Sequence, residues 1–388
     1  GSATNLINRG DINVYTNVTP TATWNTTKTH QTYGKIDIAG ICGYDTKAKS
    51  DFQNYGNITI GKTDSAISIT GNGLHIGGLV SYYSNTLATT NLTENINKGK
   101  ITINNATLNG TFTPTVEGTA NPWTTCIGGI AAYPTGNLSN SKNEGAISLD
   151  ATTTIATAAY IGGVSGKVVD DTLSAVKNSG AMTIGGAVTG GITYVGGIVG
   201  NTTGAIATSE NSGTINISGT CSTDLYAGGV VGHTTATELS GVKNNVGGAM
   251  TIGGTINGQS YIGGITGTYA GALTSCENHG NILFNGTCAS NKSFYIAGIT
   301  GYSTSTAITG CTNTGDITID KCSVASGSTE YMVCLSGIVG YQATNVATFK
   351  NCSNSGTLQI TKNVSSNFVT RVGGIIGGTN KSITLDNC

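Results

Sequence analysis

Charge and proline are both scarce in this sequence. Lys, Arg, Asp and Glu make up 10% of its 388 residues, where about 25% is usual for a soluble domain. Only four prolines occur, which excludes collagen-like and proline-rich linker architectures. The net charge is −1 and no basic run is present, so nucleic acid is not an expected partner. No apolar stretch approaches the ~18 residues that a membrane span requires. The four histidines, His30, His75, His233 and His279, lack metal-ligand spacing. Cys276 and His279 lie three apart in "CENHG", but the remaining ligands of a zinc site are missing. No metal and no cofactor are expected.

Acids are sparse as well. The 19 Asp and Glu are scattered, and their one adjacent pair is Asp170-Asp171. Polysaccharide lyases and glycoside hydrolases built on β-helices are the enzymatic alternative, and glycoside hydrolysis needs paired carboxylates at a set separation. One adjacent pair in "GKVVDDTL" reads as a solvated turn. Asp316 and Asp320 flank the strand "ITI" without an acidic partner in the next repeat. The expectation is a non-catalytic protein.

What the chain has in plenty is glycine, 59 residues, arranged in repeats. Asn-x-Gly followed by alternating apolar residues starts at Asn8, Asn54, Asn97, Asn143, Asn178, Asn211, Asn278, Asn313 and Asn354. A tenth copy, near Asn244, is distorted by an insertion in "KNNVGGAMTI". Successive copies are 33 to 46 residues apart. Between them stands apolar-Gly-Gly-apolar or a close variant, as in "IGGI" at 127, "VGGI" at 195 and "LSGI" at 335. A weaker third strand, such as "AIATSEN", precedes each Asn.

Three short strands per unit cannot fold alone. About five inward aliphatic side chains do not offset the ordering of ~34 residues. Stacked units share one core and satisfy each other's backbone groups. The expected fold is therefore all-β: a single elongated three-sided parallel β-helix, or β-solenoid, of about ten rungs over residues 1–388. Val195 and Ile198 flank the Gly-Gly step three residues apart, so strict alternation would send them to opposite faces. If both point inward, the chain must bend there, and glycine permits the bend and leaves room for the next rung. Asn143, Asn178, Asn211, Asn278, Asn313 and Asn354 read as a structural ladder at one corner, because Asn accepts tight-turn geometry and its amide can bond along a stack of identical residues.

The stretch "GGIVGNTTGAIATSENSGTI" resembles the GLUG motif, a Gly-Gly-aliphatic-x-Gly…Gly-x-Ile repeat of bacterial surface proteins. The resemblance runs from about residue 36 to 378. It departs where the third-strand glycine is missing, as in "GITGYSTSTAITGC", and the outer repeats carry longer insertions. It implies a secreted or cell-surface adhesin-like protein of bacteria, often very long. Both ends of the sequence fall inside repeats, so a piece of a longer protein with end-to-end contacts to flanking repeats is expected.

Three side-chain columns are candidates for more than packing. Cys276, Cys311, Cys352 and Cys388 each stand two before a ladder Asn or its equivalent, where Phe52, Val176 and Val242 stand in other repeats. They read as reduced core thiols. For Cys288, Cys322 and Cys334, pairing stays open. A partial threonine column (Thr59, Thr102, Thr183, Thr251, Thr318) is interrupted by Leu283 and Gln359 and falls short of an ice-binding array. Tyr160, Tyr194, Tyr226, Tyr261 and Tyr295 precede the first aliphatic of five consecutive Gly-Gly strands. If that aliphatic points inward, these rings point outward. An exposed tyrosine column is a candidate surface for stacking on sugar rings, with a host or microbial glycan or surface protein as partner. The function expected is an extracellular adhesin or stalk segment displaying that surface.

Overall fold

A computed structural model describes residues 3–19, 35–45, 49–71, 73–84, 91–110, 124–288, 292–320, 323–324, 331–361 and 368–388. The protein is all-β. Every ladder between rungs is parallel, and corresponding residues of successive repeats pair in register, as in Tyr160 with Tyr194 and Tyr194 with Tyr226. This is a β-solenoid, and stacking identical strands lets each rung supply the hydrogen-bond partners of the next.

Each turn is more finely divided than three strands. In one central rung the chain passes through Leu173–Ser174, Lys177–Asn178, Met182–Ile184, Ala187–Val188, Thr193–Gly196 and Val199–Thr202. These segments belong to six different parallel sheets of 8 to 11 strands, here numbered first to sixth in that order. The weak strand expected before each Asn is split between the first and second sheets. The breaking residue lies in the left-handed region: Asn140 at φ 47°, Ala175 at 52°, Thr208 at 48° and Ser275 at 53°. That kink turns the following residue inward. Val176, Val242 and the thiols of Cys276 and Cys311 are all 0% exposed there.

Two columns of buried aliphatic side chains run side by side along the axis. One is built from the third, fourth and fifth sheets and includes Ile161, Val195 and Ala227. The other joins the first and sixth sheets and includes Val164, Ile198 and Val230. Val195 and Ile198 are therefore both fully buried, but in different columns. The Gly-Gly step is the crossing between them.

Between the columns stands the asparagine ladder. Asn143 Nδ2 donates to Asn178 Oδ1 at 2.8 Å, Asn178 to Asn211 at 2.9 Å and Asn211 to Asn244 at 3.0 Å. The chain of amides runs unbroken from Asn8 to Asn354. Each Nδ2 also donates to the carbonyl of the following glycine, as Asn211 does to Gly213 at 3.0 Å. At Asn244 the insertion is absorbed locally: the amide reaches Gly248 four residues on, at 3.0 Å, and the ladder continues. The ladder residues from Asn54 to Asn313 are no more than 1% exposed. They sit inside the coil, packed against the Gly-Gly turn of the same rung. A Cβ on Gly197 would lie 2.3 Å from Asn211 Cγ and 2.1 Å from the carbonyl oxygen of Gly229 in the next rung. The second glycine is thus required by space rather than by an unusual φ.

Candidate functional site

Because the Gly-Gly turn presses inward onto the asparagines, the outer faces of the fifth and sixth sheets close toward each other. The result is a longitudinal crease on the surface, filled by aromatic side chains from both walls. Tyr160, Tyr194, Tyr226, Tyr261 and Tyr295 form the fifth-sheet wall. Their rings stack in sequence, with centroids 4.7, 5.1, 4.6 and 5.7 Å apart and interplanar angles of 15 to 26°. His75 and Cys126 continue the column in earlier rungs and Cys334 in a later one.

The sixth-sheet wall follows a spacing that the sequence carries but that is easily overlooked. Seven residues after the fifth-sheet positions from His75 to Cys334 come Tyr82, Tyr133, Lys167, Asn201, His233, Thr268, Tyr302 and Tyr341, and Gly378 follows Arg371 in the last rung. The two walls touch ring to ring. Tyr226 meets His233 edge-on at 5.2 Å, Tyr261 meets Tyr302 at 5.7 Å and 78°, and Tyr295 meets Tyr341 at 5.4 Å. Lower in the crease His75 lies between Tyr82 and Tyr133, at 5.3 and 5.8 Å, and its Nδ1 pairs with Asp37 Oδ1 at 2.9 Å.

The crease changes the reading of the tyrosine column. The rings do point away from the core columns, but they were expected to form an exposed face. Tyr160, Tyr261 and Tyr295 are only 8, 9 and 6% exposed, while Tyr194 and Tyr226 are half-buried. Each ring face is covered by the next ring along the axis, so sugar rings find no free face within the column. The physical reason is the concave crossing at Gly-Gly, which the repeat pattern alone does not reveal.

Electrostatics follow burial. Desolvation pushes the Tyr226 hydroxyl up to about 12, with Asp224 as the next cause, and raises Tyr194, Tyr261 and Tyr295 as well. The Tyr261 hydroxyl donates to Gln259 Oε1. Burial holds His233 down at about 4, and its Nδ1 lies 2.8 Å from Asn201 Nδ2. With Asn201 donating, the His233 ring is neutral with its proton on Nε2. Two lysines fold into the crease. Lys35 Nζ stands 4.3 Å from the Tyr82 ring centroid, and Lys167 Nζ stands 5.0 Å from that of Tyr160 and 5.7 Å from that of Tyr133. Burial lowers Lys35 to about 8.

The other candidates are dispersed. Cys276, Cys311 and Cys352 are at most 1% exposed and stack in register in the second core column, while Cys388 is exposed. Their thiols donate to backbone carbonyls, as Cys352 does to Ile308 at 3.4 Å. Cys288 lies buried in the first core column and Cys334 in the crease; Cys322 falls outside the described residues. Asp170 and Asp171 occupy a turn between the sixth sheet and the next first-sheet strand. Asp170 Oδ1 accepts from Thr203 Oγ1 at 2.9 Å, and burial followed by Asp170 raises the Asp171 carboxyl. Asp316 accepts the Thr357 amide at 2.8 Å, and Asp320 accepts the Thr361 hydroxyl at 2.6 Å. These acids hold corners together across rungs. Among the described residues, no group of three His, Cys, Asp or Glu is arranged to hold a metal ion, and no helix is long and apolar enough to cross a membrane. No family model, curated protein or solved structure matches the chain.

Proposed function

We propose that this chain is a non-catalytic stalk or adhesin segment of an extracellular bacterial surface protein, with a surface protein as its partner. One observation carries this reading. The asparagine ladder runs unbroken through ten rungs from Asn8 to Asn354. A continuous polar spine between two apolar columns makes a rod in which every rung holds its neighbours and resists local opening. The sequence supports the same reading through its resemblance to GLUG-repeat surface proteins. Stacking of glycans on tyrosine faces is not part of the proposal, because those faces are already occupied. The test is surface labelling of the native bacterium with an antibody raised against this chain. Labelling of intact cells, lost on brief protease treatment, is expected. Labelling that appears only after lysis would overturn the proposal.

A further inference from the structure

We propose that the aromatic crease is a site of oxidative cross-linking, in which a peroxide-driven one-electron oxidant joins Tyr226 to Tyr261 as dityrosine and ties two neighbouring rungs together. Both rings belong to one chain and are already held as neighbours, so the reaction needs no second copy.

Coupling of two phenols requires rings that face each other with their hydroxyl ends on the same side. Tyr226 and Tyr261 pair in register across adjacent rungs. Their rings lie 17° from parallel with centroids 4.6 Å apart, the shortest separation in the crease. Their hydroxyls are within hydrogen-bonding reach of one another, so the carbons ortho to those hydroxyls lie opposite each other too. The other tyrosine contacts suit coupling less well. Tyr261 meets Tyr302 edge-on at 78°, and Tyr302 and Tyr341 stack at 5.8 Å. Tyr160 and Tyr194 stack at 4.7 Å, but the Lys167 ammonium stands 5.0 Å from the Tyr160 ring centroid and opposes removal of an electron from it. Stacking alone would accept phenylalanine. Phe284, Phe294 and Phe349 fill the core columns, yet among the described residues no phenylalanine stands on either wall of the crease.

The oxidant enters at Tyr226, which is half-buried, whereas Tyr261 is nearly closed off. Each ring gives up one electron and its phenolic proton, leaving a neutral radical with unpaired density on the ortho carbons. Ring contact lets a radical made at Tyr226 pass to Tyr261, so Tyr226 can be oxidised a second time. The protons leave to water or to Asp224, whose carboxylate lies close enough to feel both hydroxyls and accepts the Gln259 amide at 2.8 Å. That negative charge favours loss of an electron. One carbon–carbon bond forms between the ortho positions. Each ring then loses the hydrogen on its bonded carbon and regains its phenol. Two tyrosines and one hydrogen peroxide become one dityrosine and two waters. The fold replaces a chance encounter of two radicals by an intramolecular step, and the new bond closes a loop of one rung, constraining the unfolded chain as a disulfide does.

The test exposes the purified chain, at high dilution, to a haem peroxidase and hydrogen peroxide. Trypsin cuts after Lys243, which separates Tyr226 from Tyr261 in the untreated chain. After treatment the two peptides should appear joined, lighter by two hydrogens than their sum, with dityrosine fluorescence and no dimer on a denaturing gel. The thermal midpoint of the treated chain should rise. Tyr261→Phe keeps a ring in the stack, so its untreated midpoint should stay near that of wild type, while the joined peptides and most of the fluorescence disappear. Tyr160→Phe should change neither. Absence of the joined peptides in wild type, a predominant link elsewhere in the crease, dityrosine confined to dimers, or undiminished fluorescence in Tyr261→Phe would each overturn the proposal. Surface labelling of cells is independent of all these outcomes.

Discussion

The asparagine ladder and the tyrosine column are both stacks of like side chains running along the same axis, yet they obey different rules. The ladder tolerates no exchange: asparagine stands at all ten of its positions, even where an insertion distorts the turn beside Asn244. The tyrosine column is replaced by His75 and Cys126 at one end and by Cys334 at the other. The difference lies in the chemistry of the contact. Each buried amide both donates to one neighbour and accepts from another, so one exchange orphans groups in two rungs. Ring stacking is weakly directional, and a smaller side chain at one rung costs only its own contacts. A polar stack inside enforces identity, whereas an aromatic stack in a half-open crease accepts replacement at its ends by side chains of other size and shape.

The comparison can be broken most severely at the glycine on which the ladder rests. Gly197→Ala places a Cβ against both Asn211 and the Gly229 carbonyl. A loss of about 3 kcal/mol or more is expected in urea unfolding. Asn211→Ala should cost about 2–4 kcal/mol, because Asn178 Nδ2, Asn244 Oδ1 and the Gly213 carbonyl each lose a partner. Amide exchange should accelerate in the rungs of Asn178 and Asn244 as well as in its own. If Asn211→Ala proves no more damaging than Tyr226→Ala, the contrast between the two stacks fails.

Tyr226→Ala, at a half-buried position touching two rings and His233, should cost about 1–2 kcal/mol, with exchange changes confined to the crease. The crease also carries a pH signature. The folded-state pKa of His233 is about 4, below its unfolded value near 6.5. Between these values the unfolded chain binds the extra proton, so stability is full above about pH 6.5 and falls as pH drops toward 4. The expected loss is about 1–2 kcal/mol after allowing for partial exposure, and His233→Asn should flatten that part of the profile. The smallest effect belongs to the corner before the ladder. Thr208 holds φ 48°, an uncomfortable place for a β-branched residue. Thr208→Asn should raise stability by about 0.5 kcal/mol, measured by thermal unfolding.

Much of this was legible in the residues. The recurrence of Asn-x-Gly and Gly-Gly at 33 to 46 residue intervals required stacking, since one unit buries too little to fold alone, and stacking in register made a parallel coil with columns of like side chains. Tyrosine beside an inward aliphatic was bound to face away from the core. The partner column seven residues later was equally present in the sequence, but its mix of Tyr, Lys, Asn, His and Thr conceals the recurrence. The direction in which Gly-Gly bends was not legible, because a pair of glycines permits bends of either sense. Only the packing of the asparagine amides onto Gly197 and its equivalents selects the inward one. That single choice splits the core in two, buries the ladder and closes the tyrosines into a crease. Local pattern determined what must stack; contacts between segments about fourteen residues apart decided which surfaces the stack would hide.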